Sequence, residues 1–144
     1  MDRSLTLPLF VYGTLRDDDL RRRVLGRAVA VEAVLARGVA AVFYPGRVYP
    51  ALIERRGWAA EGLVLLGLSH RDLALLDAYE GDEYVRRIVT VIAAGGPMAT
   101  QAYWSCKTVE GGAPVWLLAD WRRNHKPAAL AEAGRAASQA RARS

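Results

Sequence analysis

The chain has 144 residues, 52% of them hydrophobic, with 20 Lys and Arg against 15 Asp and Glu for a formal net charge of +5. That balance excludes disorder and suits a single domain over residues 1–144 with a real core, and no apolar run approaches the roughly 18 residues a membrane span requires. The basic excess sits in Arg21, Arg22 and Arg23, on one expected helix, and in Arg135, Arg141 and Arg143 of an Ala-rich tail. No aromatic platform interleaves with it, so it reads as a solvated basic surface and not as a nucleic-acid interface.

The first element is an apolar strand, Leu7 to Val11, stopped abruptly at Gly13. Asp17, Asp18 and Asp19 follow, then the helical spacing Leu20, Val24, Leu25. Acidic residues favour the first helical turn, where free N–H groups carry partial positive charge. A strand end, a glycine turn and a helix start are thus compressed into a few residues. Successive amides then point into one small volume suited to a carboxylate or a developing oxyanion. The plainer alternative is an ordinary turn in which Gly13 supplies a positive φ.

Ala28 to Val42 is rich in Ala and Val and broken near Gly38, as in two strands or a bent hairpin. Val48–Ile53 and Glu61–Leu68 read as further strands, preceded by the turn signals Pro45-Gly46 and Arg56-Gly57. Ser69 reads as the N-cap of a short helix, with Asp72 completing a capping box, Leu73, Leu76 and Ala78 as its apolar face, and Gly81 as its stop. Tyr84–Ala93 and Met98–Ser105 form an expected hairpin across Gly95-Gly96-Pro97. A C-terminal helical extension is expected from about Pro114, with Trp116, Leu117 and Trp121 as one apolar stripe and Arg122, Arg123 and Asn124 in water. Lys126-Pro127 interrupts it, and a second helix runs to about Ala140. Strands outnumbering short helices indicate an α+β fold, a small mixed β-barrel with peripheral helices. Periodicity does not supply its closure.

Glu80 falls in the last turn of the Ser69–Tyr79 helix, between Tyr79 and Tyr84. A carboxylate is unfavourable at a helix C-terminus, and aromatic surroundings raise its pKa further. Held so, it exchanges a proton near neutral pH. The bland alternative is a solvated acid paired with Arg86 or Arg87, and Asp82 and Glu83 read as an exposed turn.

Tyr12-Gly13-Thr14-Leu15, followed by Leu76-Asp77-Ala78-Tyr79-Glu80-Gly81 and then Tyr84-Val85-Arg86, resembles the γ-glutamylcyclotransferase superfamily, specifically its AIG2-like, γ-glutamylamine cyclotransferase-like branch. Val48-Tyr49-Pro50-Ala51-Leu52 matches the pattern those proteins carry between the two motifs, and the resemblance covers roughly Leu7 to Tyr103. It implies barrel closure, Glu80 as catalytic proton acceptor, and Tyr12, Gly13, Thr14 and Leu15 as the substrate-binding loop. Tyr103 falls where relatives place a tyrosine hydroxyl in the pocket; Tyr49 either lines the same cavity or packs. The Pro45–Tyr49 and Gly81–Glu83 loops and the C-terminal helix are the expected rim, which selects the amine released.

The implied reaction needs little else. A γ-glutamyl substrate carries its own nucleophile, the α-amine, and closes on its γ-carbonyl to give 5-oxoproline and a free amine. Intramolecular attack corresponds to effective molarities on the order of 10⁵ M or more. No cofactor or metal is expected. His70 sits at a helix start, His125 precedes a Lys-Pro break, and no metal-ligand or nucleophile-elbow spacing occurs. The single cysteine, Cys106, reads as a passive half-buried thiol with no intrachain disulfide partner. With no secretory-type N-terminal segment, a reducing cytoplasm is expected. Two alternatives stay open: a silent carboxylate-binding domain on the same barrel, and a γ-glutamyl acyltransferase.

Overall fold

Alternation along the first strand sets the architecture. In β1 (Leu9–Val11) and the residue after it, Phe10 and Tyr12 turn into one apolar cluster while Leu9 and Val11 turn into another. The computed structural model describes residues 6–143, with side chains through Arg135, so the side chains of Arg141 and Arg143 lie outside the described part. After β1 come a 3₁₀ turn (Thr14–Arg16), α1 (Asp18–Leu25), β2 (Ala30–Phe43), β3 (Pro50–Leu66) and α2 (His70–Glu80). A second 3₁₀ turn (Gly81–Glu83), β4 (Tyr84–Ala93), β5 (Gly96–Ser105), α3 (Leu118–Asn124) and α4 (Lys126–Arg143) complete the chain.

The five strands close into a mixed barrel in the order β1-β3-β2-β4-β5. All pairs are antiparallel except the closing pair, β1 with β5, where Leu9 faces Gln101 and the Gln101 amide donates to the Pro8 carbonyl at 2.9 Å. Phe10, Val34, Ala36, Val64, Val91 and Ala102 fill the interior. Outward-facing Leu9, Val11 and Leu65 meet Leu20, Val24, Leu73, Leu76 and Trp121 from the helices. Burying these side chains contributes about 1.5–3 kcal/mol each, which holds the helical layer on one side of the barrel.

The expected breaks in the two long strands are absent. β2 and β3 each run continuously through Gly38 and Gly57, which adopt φ of +78° and +83°. The register jumps there from Arg37↔Ala59 to Val39↔Glu54, so the glycines mark a bulge that bends the pair without ending it. The β4–β5 turn is tighter than expected, because Ala93 already pairs with Gly96.

Residue 114 does not begin a helix. The Trp116 amide donates to the Ala41 carbonyl at 3.0 Å and Val115 bridges Val42, so this segment stays extended along the barrel until Leu118. Trp116 and Trp121 are buried, but Leu117 is 54% exposed and leaves the expected stripe. In α2 the Ser69–Asp72 capping box forms, and the apolar face uses Leu75 where Ala78 was expected. Cys106 is exposed. Among the described residues, no helix is long and apolar enough to cross a membrane.

Candidate active site

β1 delivers its last residues to the mouth of the barrel, and the chain must then turn sharply into α1. Gly13 makes this possible by close approach, not by positive φ. Its φ is −126°, and a Cβ there would lie 2.5 Å from Pro50 Cγ. The following 3₁₀ turn uses the carbonyls of Gly13 and Thr14, which accept from Arg16 and Asp17 at 3.0 Å. The amides at its start, Thr14 and Leu15, have no partner within the turn.

Three ties fix this loop. Arg21 is only 6% exposed, and its Nη1 donates to the carbonyls of Leu15 and Arg16 at 3.0 and 2.9 Å. It is a buried strut, not part of a solvated basic face. Asp17, buried, caps α1 through the Leu20 amide at 3.0 Å and accepts from Arg122 at 2.8 Å and Lys126 at 2.9 Å. Burial alone would raise its carboxyl, yet those three donors hold it below the usual aspartate range. Thr14 Oγ1 lies 3.1 Å from the Tyr79 hydroxyl, which joins the loop to the helix that carries Glu80.

These elements enclose a cavity of about 430 Å³, ample for a small ligand. Tyr12, Gly13, Thr14, Leu15, Tyr49, Glu80 and Tyr103 all line it. Every site residue expected from the sequence therefore reaches one hollow. Pro50, Tyr79 and Tyr84 complete the inner wall, and Trp121, His125, Ala129 and Glu132 close the side toward α3 and α4.

Glu80 is partly buried, and Arg86 passes it by to pair with Asp77 at 2.8 Å. Burial, reinforced by the charge of Asp77, pushes the Glu80 carboxyl up to about 8. Burial also raises the surrounding phenols. Tyr12, Tyr79, Tyr84 and Tyr103 all stand above the ordinary tyrosine range, with the Glu80 charge adding to each. Around neutral pH Glu80 thus titrates among protonated phenols.

The tyrosines also order one another. The Tyr12 hydroxyl donates to the Tyr103 carbonyl, Tyr84 to the Pro50 carbonyl at 2.6 Å, and Tyr103 to Asp77 Oδ1 at 2.6 Å. Tyr84 packs against Tyr44, Tyr49 and Tyr103 with ring centroids 5.5, 6.2 and 6.4 Å away. Tyr49 does more than pack: its hydroxyl donates to Glu83 and accepts from Arg47 at 2.9 Å. Burial and the Glu83 bond push it up to about 12. Glu83 was expected on an exposed turn, but its side chain is 29% exposed and belongs to the cavity wall. The Tyr49 bond and Arg47 hold its carboxyl below the usual glutamate range.

Sequence reasoning missed Arg21, the Asp17 cluster, and the Asp77–Tyr103–Arg86 network. Only the last left a trace, because Asp77 and Glu80 stand three residues apart and share a helix face. Among the described residues, no group of three or more His, Cys, Asp or Glu side chains is placed to hold a metal ion.

A short barrel whose mouth joins a glycine-turn loop to a carboxylate at a helix end defines the class. The family model for γ-glutamyl cyclotransferase, AIG2-like proteins matches residues 9–123, and the chain belongs to that family. AIG2-like protein A of Arabidopsis thaliana is 31% identical over 121 residues, 82% of this chain and 73% of that protein. A solution structure of an Arabidopsis thaliana protein superposes with a TM-score of 0.69 at 27% identity, covering 91% of this chain and 90% of the other. A structure described as a γ-glutamyl cyclotransferase superposes with a TM-score of 0.61 at 17% identity over 70% of this chain and 67% of its own, a likeness of fold.

Proposed function

We propose that the protein is a γ-glutamylamine cyclotransferase that converts a γ-glutamyl amine into 5-oxoproline and the free amine, with Glu80 moving the protons. The observation that carries this reading is the meeting of Glu80 with the Tyr12–Leu15 loop in one cavity, with the carboxyl pushed up to about 8. Glu80 takes a proton from the substrate α-ammonium, and the freed amine attacks the γ-carbonyl of the same molecule. The Thr14 and Leu15 amides face the anionic groups, and Glu80 returns the proton to the departing nitrogen. Such a base contributes about 10²–10⁴ in rate, and holding the glutamyl chain folded contributes more. Tyr12, Tyr49 and Tyr103 bound the space in which the chain folds, and a cytoplasmic setting accompanies the proposal.

Purified protein incubated with a panel of γ-glutamyl amines and dipeptides, and assayed for 5-oxoproline, tests the reading. Release of 5-oxoproline in equal amount with the amine supports it. Binding of 5-oxoproline or glutamate without turnover of any panel member overturns it in favour of a silent binding domain. Appearance of a new γ-glutamyl amide with an added acceptor amine would instead identify an acyltransferase.

A further inference from the structure

Tyr103 of the cavity wall belongs to a polar assembly whose other members, Asp77, Arg86 and Gln101, the proposed reaction does not use. Asp77 precedes Glu80 on α2 by three residues, so the two carboxylates stand on one face about a turn apart. Asp77 Oδ1 accepts from the Tyr103 hydroxyl at 2.6 Å and from Arg86 Nε at 2.8 Å, and Oδ2 accepts from Arg86 at 3.1 Å. Arg86 is fixed in turn by Gln101 Oε1 at 2.6 Å. Helix α2 and strands β4 and β5 are thereby joined through Asp77, one turn before Glu80 on α2. The fork of Arg86 meets the carboxylate with two parallel bonds, an arrangement that resists rotation of the acid.

We propose, resting on the cyclotransferase reading, that Asp77 is a positioning residue of the reaction: clamped by Arg86, it locks the Tyr103 phenol into the cavity wall and keeps a fixed negative charge beside Glu80. Two consequences follow from the geometry. The Tyr103 proton is committed to Asp77, so its oxygen is left to accept and favours an N–H donor over a carboxylate. The charge of Asp77 also opposes ionisation of Glu80, in the same direction as burial. Glu80 faces further titratable groups from its surroundings: Tyr79 on its own helix, Tyr12 just after β1, Tyr84 from β4 and Tyr103 from β5. Glu83, His125 and Glu132 line the same cavity. None of the phenols titrates near neutral pH, and Asp77 is the charged side chain that acts on Glu80.

Asp77→Asn tests this, because the amide keeps the shape and an acceptor oxygen while removing the charge. The acidic limb of the kcat/KM profile should move down by about one pH unit. Tyr103→Phe should raise KM or lower kcat while leaving the limb in place, and Asp77→Glu should restore the limb toward wild type. A merely structural role would lower the melting temperature of Asp77→Asn and leave the limb where it was; that result overturns the proposal. Should Asp77→Asn fail to fold, Arg86→Gln leaves the Asp77 charge less compensated and should move the limb up, and an unmoved limb again overturns it. Carbon-13 carboxyl NMR of glutamate-labelled protein, assigned with Glu80→Gln, follows the same titration without turnover. A chain that makes no 5-oxoproline but whose Glu80 titration shifts on Asp77→Asn would sink the cyclotransferase reading and uphold the Asp77 charge effect.

Discussion

The two loops that face each other across the cavity are built in opposite ways. The Gly13–Arg16 loop is buried and tied from three sides, by Arg21 to its carbonyls, by Asp17 to Arg122 and Lys126, and by Thr14 to Tyr79. The opposite rim depends on a half-exposed Arg47–Glu83 pair and on Tyr49, with Val48 beside them 44% exposed. A buried hydrogen bond to a charged group contributes about 1.5–3 kcal/mol, whereas an exposed ion pair contributes about 0–1 kcal/mol. The inner loop is thus held in one shape from three sides, while the opposite rim is only loosely tied.

The sharpest way to break this contrast is at Glu80. Glu80→Gln should lower kcat by about 10²–10⁴ while 5-oxoproline binding, measured by calorimetry, stays near wild type. In the wild type, kcat/KM should rise with pH through about 8, since the base must be ionised. Stability runs the other way. The folded protein keeps the Glu80 proton at pH values where the unfolded chain has lost it, so stability falls as pH rises from about 4.5 toward about 8. Glu80→Gln removes that loss and should be more stable than wild type at pH 9, by on the order of 2–4 kcal/mol in denaturant titrations. Near-normal activity, or no gain at pH 9, would refute the assigned burial and role.

Gly13→Ala comes next. Its Cβ would meet Pro50 Cγ at 2.5 Å, so the loop must shift, at a cost of about 1–3 kcal/mol. Thermal melting should show the loss, and KM should rise about tenfold or more. An unchanged KM would mean that the loop does not hold the substrate. Arg21→Met keeps the apolar stem but leaves the Leu15 and Arg16 carbonyls without their donor, and should cost about 2 kcal/mol by denaturant titration. The smallest effect belongs to the rim. Glu83→Gln should change kcat/KM by no more than about fivefold, and unequally among amines of different charge. A larger, uniform loss would erase the distinction between the two loops.

Much of this was legible because local rules and global packing agree. The Ser69–Asp72 capping box and the helix-end position of Glu80 follow from short-range chemistry. Gly38 and Gly57 misled because positive-φ glycines mark turns and bulges alike, and only pairing distinguishes them. Pro114 misled because a favourable helix start was overridden by pairing with β2. Barrel closure came only from the family resemblance and not from periodicity, and the partners of Arg21 and Asp17 were beyond reach. An arginine in a basic helical run carries no mark of burial, and Arg122 meets Asp17 across 105 residues of sequence.

That last separation has a consequence for biosynthesis. Asp17 opens the first helix, yet both cations that neutralise it are translated more than a hundred codons later. Until they leave the ribosome, enclosing the carboxylate means burying a lone anion, at a cost of several kcal/mol. Full enclosure of the Asp17 carboxyl therefore waits for the C-terminal segment that carries both cations.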